Sequence, residues 1–152
     1  MSSKALDILV VDDDSINIKF LTAVLASVAK QTGVDINAVS AASGQEALAI
    51  VESNTPDMIL LDVMMPGMDG YEVCEKLKAN PVTADIQIVF ATAMDKEDER
   101  ARGLGMGAID YIRKPFEPDT VVKTLVQLIK PGATINASVQ NTRAADDFPY
   151  QL

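Results

Sequence analysis

Short apolar runs alternate with helical patterns along most of the chain, and this alternation limits the fold more than any other feature of the sequence. A continuous apolar run such as Ile8-Leu9-Val10-Val11 predicts a strand that is buried on both faces, as strands of a parallel sheet are. Apolar runs and turn residues together predict five strands. They span residues 8–11, 37–42, 58–61, 86–90 and 109–112.

Each predicted strand is followed by a helical pattern. The first pattern predicts a helix with Ser15 as its N-cap. Ser43-Gly44-Gln45-Glu46 matches a capping box and predicts a helix that extends to about Ser53. The last helix is predicted to begin at Asp119 as its N-cap. The apolar residues expected to face the core are Ile18, Leu21, Leu25 and Val28 in the first helix and Val122, Leu125 and Ile129 in the last.

Two further helices, over 71–79 and 95–104, complete five strand–helix units in strict alternation. That order predicts an α/β fold with a parallel sheet, and right-handed crossovers place helices on both of its faces. Pro131-Gly132 ends the last helix. We therefore predict one domain over residues 1–130 and a C-terminal tail, or a linker to an effector domain, over 131–152.

The charge of the chain disfavours several kinds of partner. Thirteen basic residues against 22 acidic ones give a net charge of −9. Such a chain is repelled by phosphate backbones and anionic lipid, so this segment is not expected to bind nucleic acid or membranes directly. The sequence contains no pattern typical of a signal peptide or a spanning segment, and the expected location is cytoplasmic. Cys74 is the single cysteine, which excludes an internal disulfide.

Polar side chains follow four of the five predicted strands. The first ends at Asp12 and Asp13, the third at Asp62 and the fourth near Thr92, and Lys114 follows the fifth. Ligands of open parallel sheets bind beyond the carboxyl ends of the strands, so these side chains are expected to share one cleft. Carboxylate oxygens suit Mg²⁺, and an ammonium and a hydroxyl can hold phosphate oxygens. The pattern predicts a phosphoryl-transfer site built around a carboxylate nucleophile.

The segments that carry these residues resemble those of response-regulator receiver domains of two-component systems, the CheY-like family. The resemblance covers residues 5–130 approximately, and the interval from Asp13 to Asp62 is a few residues longer than is usual for the family. The matching segments are Leu9-Val10-Val11-Asp12-Asp13-Asp14, Leu60-Leu61-Asp62-Val63-Met64-Met65-Pro66-Gly67-Met68-Asp69-Gly70, Ala91-Thr92-Ala93 and Gly107-Ala108-Ile109-Asp110-Tyr111-Ile112-Arg113-Lys114-Pro115-Phe116. The resemblance implies a flavodoxin-like, doubly wound sheet of five parallel strands in the order 2-1-3-4-5.

The resemblance also implies a role for each site residue. Asp62 would accept a phosphoryl group from a phosphohistidine. Mg²⁺ would be bound by Asp13, Asp62 and the backbone carbonyl of Met64, with Asp12 acting mainly through a metal-bound water. Lys114 would pair with the phosphoryl oxygens, Thr92 and Tyr111 would move on activation, and a cis peptide bond would precede Pro115. Asp14 is interpreted as an acid that favours the helix N-terminus, and Tyr111 has an alternative interpretation as an ordinary core residue.

The partner implied is a sensor histidine kinase or a histidine phosphotransfer protein. The chain has no histidine, so it cannot form a phosphohistidine itself. Phosphorylation would change the surface of the fourth helix, fifth strand and fifth helix, and a phosphorylation-dependent homodimer is one outcome. Such a domain is a signalling module and not an enzyme. The reactions that it would catalyse are at most its own phosphorylation and dephosphorylation. It would act alone or as the first module of a larger regulator, for example one with a cyclic-dinucleotide enzyme as its output.

Two other classes of protein share parts of this pattern. Phosphatases of the haloacid-dehalogenase type also use an aspartate after a strand, but they need a second acid two residues later, where this chain has Met64. Flavodoxin-like electron carriers need a phosphate-binding loop after the first strand, where Asp12-Asp13-Asp14 would repel the flavin phosphate. The receiver interpretation is therefore favoured over both.

Overall fold

The computed structural model describes residues 5–93 and 97–130, with only the backbone of 97–99. Strands and helices alternate throughout this part of the chain, as the sequence pattern predicts. The strands are β1 (Leu6–Val11), β2 (Ile36–Ala41), β3 (Met58–Asp62), β4 (Gln87–Thr92) and β5 (Asp110–Arg113). The helices are α1 (Ser15–Thr32), α2 (Gly44–Ser53), α3 (Gly70–Ala79), α4 (Glu97–Gly105) and α5 (Pro118–Ile129). The predicted start of α4 at Asp95 and the proposed tail over 131–152 lie outside the described residues.

The five strands form one parallel sheet in the order β2-β1-β3-β4-β5, which confirms the predicted flavodoxin-like fold. β1, β3 and β4 are the inner strands. Val11 pairs with Leu61, and Asp62 pairs with Ala91. Because the last residues of these strands pair with one another or nearly so, the carboxyl ends of the three inner strands lie at one edge of the sheet.

The two faces of the sheet are covered by different helices. Alternate residues of a strand point to opposite faces, and β1 divides in this way, with Leu9 and Val11 on one side and Ile8 and Val10 on the other. Side chains of α2 and α3 pack on the first face, and side chains of α1 and α5 pack on the second. The inner strands are buried on both faces, which explains why they read as continuous apolar runs.

Two predicted helix starts were wrong by one or two residues. The N-cap of α1 is Asp14 and not Ser15, since the Asp14 carboxylate accepts a hydrogen bond from the backbone N–H of Ile16 at 2.9 Å. The N-cap of α5 is Glu117 and not Asp119. Proline favours the first position of a helix because it has no N–H to leave unpaired, so Pro118 begins α5 and Asp119 falls within its first turn.

The capping pattern before α2 is confirmed, with one difference in its hydrogen bonds. Ser43 is the N-cap, and its hydroxyl accepts from the N–H of Glu46 at 3.1 Å. The Glu46 carboxylate accepts from the N–H of Ala42 at 2.8 Å, one residue earlier than a capping box predicts. A complete capping box, which the sequence analysis missed, joins Asp69 and Glu72 at the start of α3.

The helix faces that meet the core agree with prediction in α1 and differ in part in α5. Leu21, Leu25 and Val28 of α1 are buried, and Ile18 is partly buried. In α5 Leu125 is buried, but Val122 and Ile129 are only partly buried. The side chains buried most fully in α5 are Val121, Thr124, Leu125 and Val126. No helix in the described part of the chain is both long enough and apolar enough to cross a membrane.

Gly70 allows α3 to begin against the end of β3. Its N–H donates to the carbonyl of Val63 at 2.9 Å. A Cβ atom at position 70 would overlap the carbonyl oxygen of Asp62 and lie 2.9 Å from the Cα of Val63. The obstructing atoms are backbone atoms, so the chain at the end of β3 would have to move.

We expect Gly70→Ala to lower the free energy of unfolding by about 2 kcal/mol, because the added methyl group overpacks a backbone contact. Gly105→Ala is the matched control, since a Cβ there meets no atom within 4 Å. Alanine also favours a helix over glycine, so the control should be neutral or slightly stabilising. Urea unfolding measures both variants, and equal stability of the two would contradict the close contact.

Candidate functional site

Three carboxylates meet at the carboxyl edge of the sheet. Asp12 and Asp13 follow β1, and Asp62 is the last residue of β3, which lies beside β1. One oxygen from each carboxylate lies within 4.8 Å of the other two. Asp12 and Asp62 are buried, whereas Asp13 is exposed. The fold thus brings together the three side chains proposed as metal ligands, and one of them is open to solvent.

Lys114 joins two of these carboxylates. Its Nζ atom lies 3.1 Å from Asp62 Oδ1, to which it donates a hydrogen bond, and 3.1 Å from Asp12 Oδ2. The backbone N–H of Lys114 donates to the carbonyl of Thr92 at 2.8 Å, which holds the lysine at the end of β4. The peptide bond between Lys114 and Pro115 is cis, as expected. The site therefore contains a positive charge between two buried negative ones.

Burial raises the pKa of Asp62 from 3.8 to about 6. The hydrogen bond from Lys114 lowers the pKa of Asp62 in part, whereas the negative charge of Asp12 raises it further. The backbone N–H of Met64 donates to Asp62 Oδ1 at 3.3 Å and also lowers the pKa. Burial opposes the charge on Lys114, but its contacts with Asp62 and Asp12 outweigh burial and raise the pKa of the ammonium. At neutral pH Asp62 is therefore mostly a carboxylate, the form that can act as a nucleophile.

Asp12 has the features of a residue prepared for a cation or its bound water. Asp12 Oδ1 accepts a hydrogen bond from the N–H of Asp14 at 2.9 Å. Asp12 Oδ2 is buried, contacts the Lys114 ammonium as an ion pair, and forms no hydrogen bond with the described residues. A buried carboxylate oxygen in this state accommodates a further positive group. The donor set is entirely oxygen and carries three negative charges, which fits Mg²⁺.

Met64 differs from the other proposed ligands because only its backbone would take part. Its N–H donates to Asp62 as described above, so its backbone lies beside the Asp62 carboxylate. Its side chain is 60% exposed. An exposed thioether two residues after Asp62 cannot supply an acid for proton transfer, which agrees with the argument against a phosphatase.

Thr92 and Tyr111 line the same small pocket. Thr92 ends β4 and is buried, and Tyr111 of β5 is partly buried. The pocket has a volume of about 10 Å³, roughly the space that one water molecule needs. The structure thus places the two proposed switch residues together, and their movement stays a prediction. The remaining lining residues are Val63, Tyr71, Phe90, Arg100, Gly103, Leu104 and Asp110.

The sequence analysis missed contacts that hold α4 beside this pocket. The guanidinium carbon of Arg100 lies 5.2 Å from the centre of the Tyr111 ring. The guanidinium carbon of Arg102 lies 3.9 Å from the centre of the Tyr71 ring. Such cation–π contacts join residues far apart in sequence. The signal that could have indicated them is Gly103, whose missing side chain lets α4 approach the Phe90 ring.

The raised pKa of Asp62 predicts a pH-dependent effect on stability in metal-free buffer. A carboxyl group with a raised pKa binds its proton more tightly in the folded state, so its contribution to stability is present below pH 3.8 and is lost as the pH rises through about 6. Asp62→Asn cannot ionise. The stability of this variant relative to the wild type should therefore increase by about 1 kcal/mol between about pH 5 and pH 7.5. Urea unfolding in EDTA measures the difference, and a constant difference would contradict a raised pKa.

Comparison with known proteins identifies the domain. The family model described as "Response regulator receiver domain" matches residues 8–126. The response regulator PleD of Caulobacter vibrioides is 46% identical over 110 residues, which is 72% of this chain but 23% of PleD. The phosphate regulon transcriptional regulatory protein PhoB of Pseudomonas aeruginosa is 38% identical over 123 residues, 81% of this chain and 51% of PhoB. The chain therefore spans about half or less of these relatives.

Solved structures agree with this match. The signal receiver domain of a DNA-binding response regulator from Colwellia psychrerythraea superimposes with a TM-score of 0.73 at 29% identity, covering 82% of this chain and 98% of that one. The chemotaxis response regulator CheY4 of Vibrio cholerae has a TM-score of 0.71 at 28% identity, covering 82% and 99%. Sequence family, fold and the clustered aspartates agree, and the chain belongs to the response-regulator receiver domains of two-component systems.

Proposed function

We propose that Asp62 accepts a phosphoryl group from the phosphohistidine of a sensor histidine kinase or a histidine phosphotransfer protein. The observation that carries this proposal is the position of the Asp62 carboxylate, which is buried at a strand end and hydrogen-bonded to Lys114. Burial strips water from the carboxylate, and Lys114 keeps it ionised at neutral pH. It is therefore suited to attack phosphorus.

In the proposed transfer, an Asp62 oxygen forms a bond to phosphorus as the bond from phosphorus to the histidine nitrogen breaks. The electron pair of that bond returns to the imidazole of the partner, and the product is an acyl phosphate on Asp62. Lys114 already lies 3.1 Å from Asp62 Oδ1, so its ammonium can hold the oxygens of the transferred group. Thr92, at the end of the neighbouring strand, offers a hydroxyl donor to the same group.

Asp12, Asp13, Asp62 and the backbone carbonyl of Met64 would hold Mg²⁺. When bound, this ion neutralises the negative charge that the phosphoryl group brings to a site already rich in carboxylates. The exposed Asp13 is the most accessible of these ligands and gives the ion a route from solvent. Asp12, whose Oδ2 atom lacks a hydrogen bond from the described residues, suits a water bound to the ion.

The output surface is proposed to consist of α4, β5 and α5. Phosphorylation would draw Thr92 toward the new group, and Tyr111, which lines the same pocket as Thr92, would turn inward behind it. Leu104 at the end of α4 and Ile109 before β5 are 40% and 39% exposed, which suits a protein partner or a second copy of the chain. The relatives matched here are longer proteins, so residues 131–152 could link this domain to an effector domain, or the domain could act alone in the cytoplasm.

Incubation with phosphoramidate and Mg²⁺ tests the proposed acceptor directly. Mass spectrometry should show a stable adduct of about 80 Da, one added PO₃H group, on the peptide that contains Asp62. Asp62→Asn should abolish the adduct, and Asp119→Asn, an exposed carboxylate in the first turn of α5, should retain it. Labelling that persists in Asp62→Asn at another residue would refute the assignment. Repeated turnover of the donor without an adduct would favour a phosphatase.

We expect the aspartyl phosphate to hydrolyse slowly because the residues that flank it are apolar. Met64 is exposed two residues after Asp62, and Met94, in the corresponding position after Thr92, lies outside the described residues. Met64→Asn would place a hydrogen-bonding amide where it can orient an attacking water, so the adduct should decay several-fold faster. Val82→Asn makes the same kind of change at an exposed apolar residue distant in sequence. Equal decay rates in both variants would contradict this explanation.

A further inference from the structure

We propose that Phe20 of α1 is a positioning residue for the Lys114 ammonium, acting through Phe116. The inference rests on the proposed function of Asp62 and goes beyond it, because it assigns a role in phosphoryl transfer to a residue outside the charged cluster. Phe20 has no polar atom in its side chain. It acts by holding the loop on which Lys114 lies.

The two aromatic rings form a close parallel stack. Their centres are 5.2 Å apart, and their planes differ by 7°. Both side chains are partly buried and pack against the core formed by α1, α5 and one face of the sheet. Phe116 lies in the loop between β5 and α5, and Phe20 lies in the second turn of α1. The stack therefore joins a loop to a helix that is distant in sequence.

Lys114 is the first residue beyond β5, so the sheet fixes its backbone on one side only. On that side its N–H donates to the Thr92 carbonyl at 2.8 Å. On the other side the chain reaches Phe116 two residues later, and the Lys114 Nζ atom lies 5.9 Å from the centre of that ring. A lysine side chain is flexible, and its charge is directed only if its base is held. The stack on Phe20 supplies the second fixed point.

Helix α1, which carries Phe20, is well placed to hold the loop of Lys114 near the carboxylates. α1 begins immediately after Asp12 and Asp13, and its N-cap Asp14 ties its first turn to the end of β1. The Phe20 ring therefore holds the loop that contains Lys114 at a fixed distance from the carboxylates that precede α1. In this way the stack connects Lys114 to the carboxylates that follow β1, which are distant from it in sequence.

The test compares the rate of adduct formation from phosphoramidate with Mg²⁺ in four proteins. Phe20→Leu should form the adduct roughly 10- to 100-fold more slowly than the wild type, the range expected when a reacting group is misplaced by about 1 Å. Phe20→Tyr keeps the ring and should retain the wild-type rate. Ile129→Val removes a methyl group from the same core at the far end of α5 and should also retain it.

A loss of packing alone could slow the reaction, so the Lys114 side chain needs its own readout. The Lys114 Cε and Hε resonances, assigned by comparison with Lys114→Arg, should shift in Phe20→Leu without donor or Mg²⁺ and stay in place in the other two variants. In a Lys114→Gln background, Phe20→Leu should have no further effect on the rate. Additive slowing there, or unchanged Lys114 resonances in Phe20→Leu, would overturn the inference.

Failure of the inference is distinguishable from failure of the proposed function. If the wild type forms the adduct on Asp62 and Phe20→Leu forms it at the same rate, the positioning role of Phe20 is wrong and the acceptor assignment stands. If the wild type forms no adduct, the proposed function is wrong, and the positioning role in phosphoryl transfer is overturned with it.

Discussion

A single ammonium group between two buried carboxylates is the interaction on which the rest of this site depends. Lys114 contacts Asp12 and Asp62 at 3.1 Å each. Two carboxylates this close in a buried site repel one another, and burial favours the neutral form of Asp62. Lys114 opposes both effects, and Asp62 remains available as an anion near neutral pH. The proposed nucleophile, the ammonium that balances its charge and the carboxylates proposed to hold a cation therefore lie side by side.

The parallel sheet makes this arrangement possible because it gathers residues that are remote in sequence. Asp12, Asp62 and Lys114 lie at the ends of three different strands, and the carboxyl ends of those strands lie at the same edge. The backbone contact at Gly70 and the N-cap at Asp14 then fix the loops that leave this edge. Each of these two supporting residues limits where a charged side chain of the site can lie.

Most of the architecture could be predicted because it depends on local patterns. β1 and β3 are continuous apolar runs, and a strand followed by a helix in strict alternation admits few topologies. The positions of Asp12, Asp13, Asp62 and Lys114 at strand ends then follow from the parallel arrangement. The resemblance to receiver domains supplied the strand order and the individual roles, and the roles stay predictions until they are measured.

The remainder could not be predicted because it depends on competition between neighbours or on contacts across the fold. Ser15 and Asp119 are both good N-cap residues, but the N-caps are Asp14 and Glu117, and Ser15 and Asp119 lie inside their helices. Nothing local to Arg102 indicates that it covers the Tyr71 ring. The stack of Phe20 on Phe116 likewise joins two residues that only the folded chain brings together.

The Lys114 ammonium contacts two of the carboxylates that are proposed to hold Mg²⁺, so a comparison of Mg²⁺ binding with and without this ammonium tests the site most directly. Calorimetric titration with Mg²⁺ should compare the wild type with Lys114→Ala. If the ammonium and the ion share the carboxylates of Asp12 and Asp62, removal of the ammonium should tighten Mg²⁺ binding. Unchanged or weaker binding in Lys114→Ala would show that the ion lies elsewhere and would contradict the charge-balanced site described here.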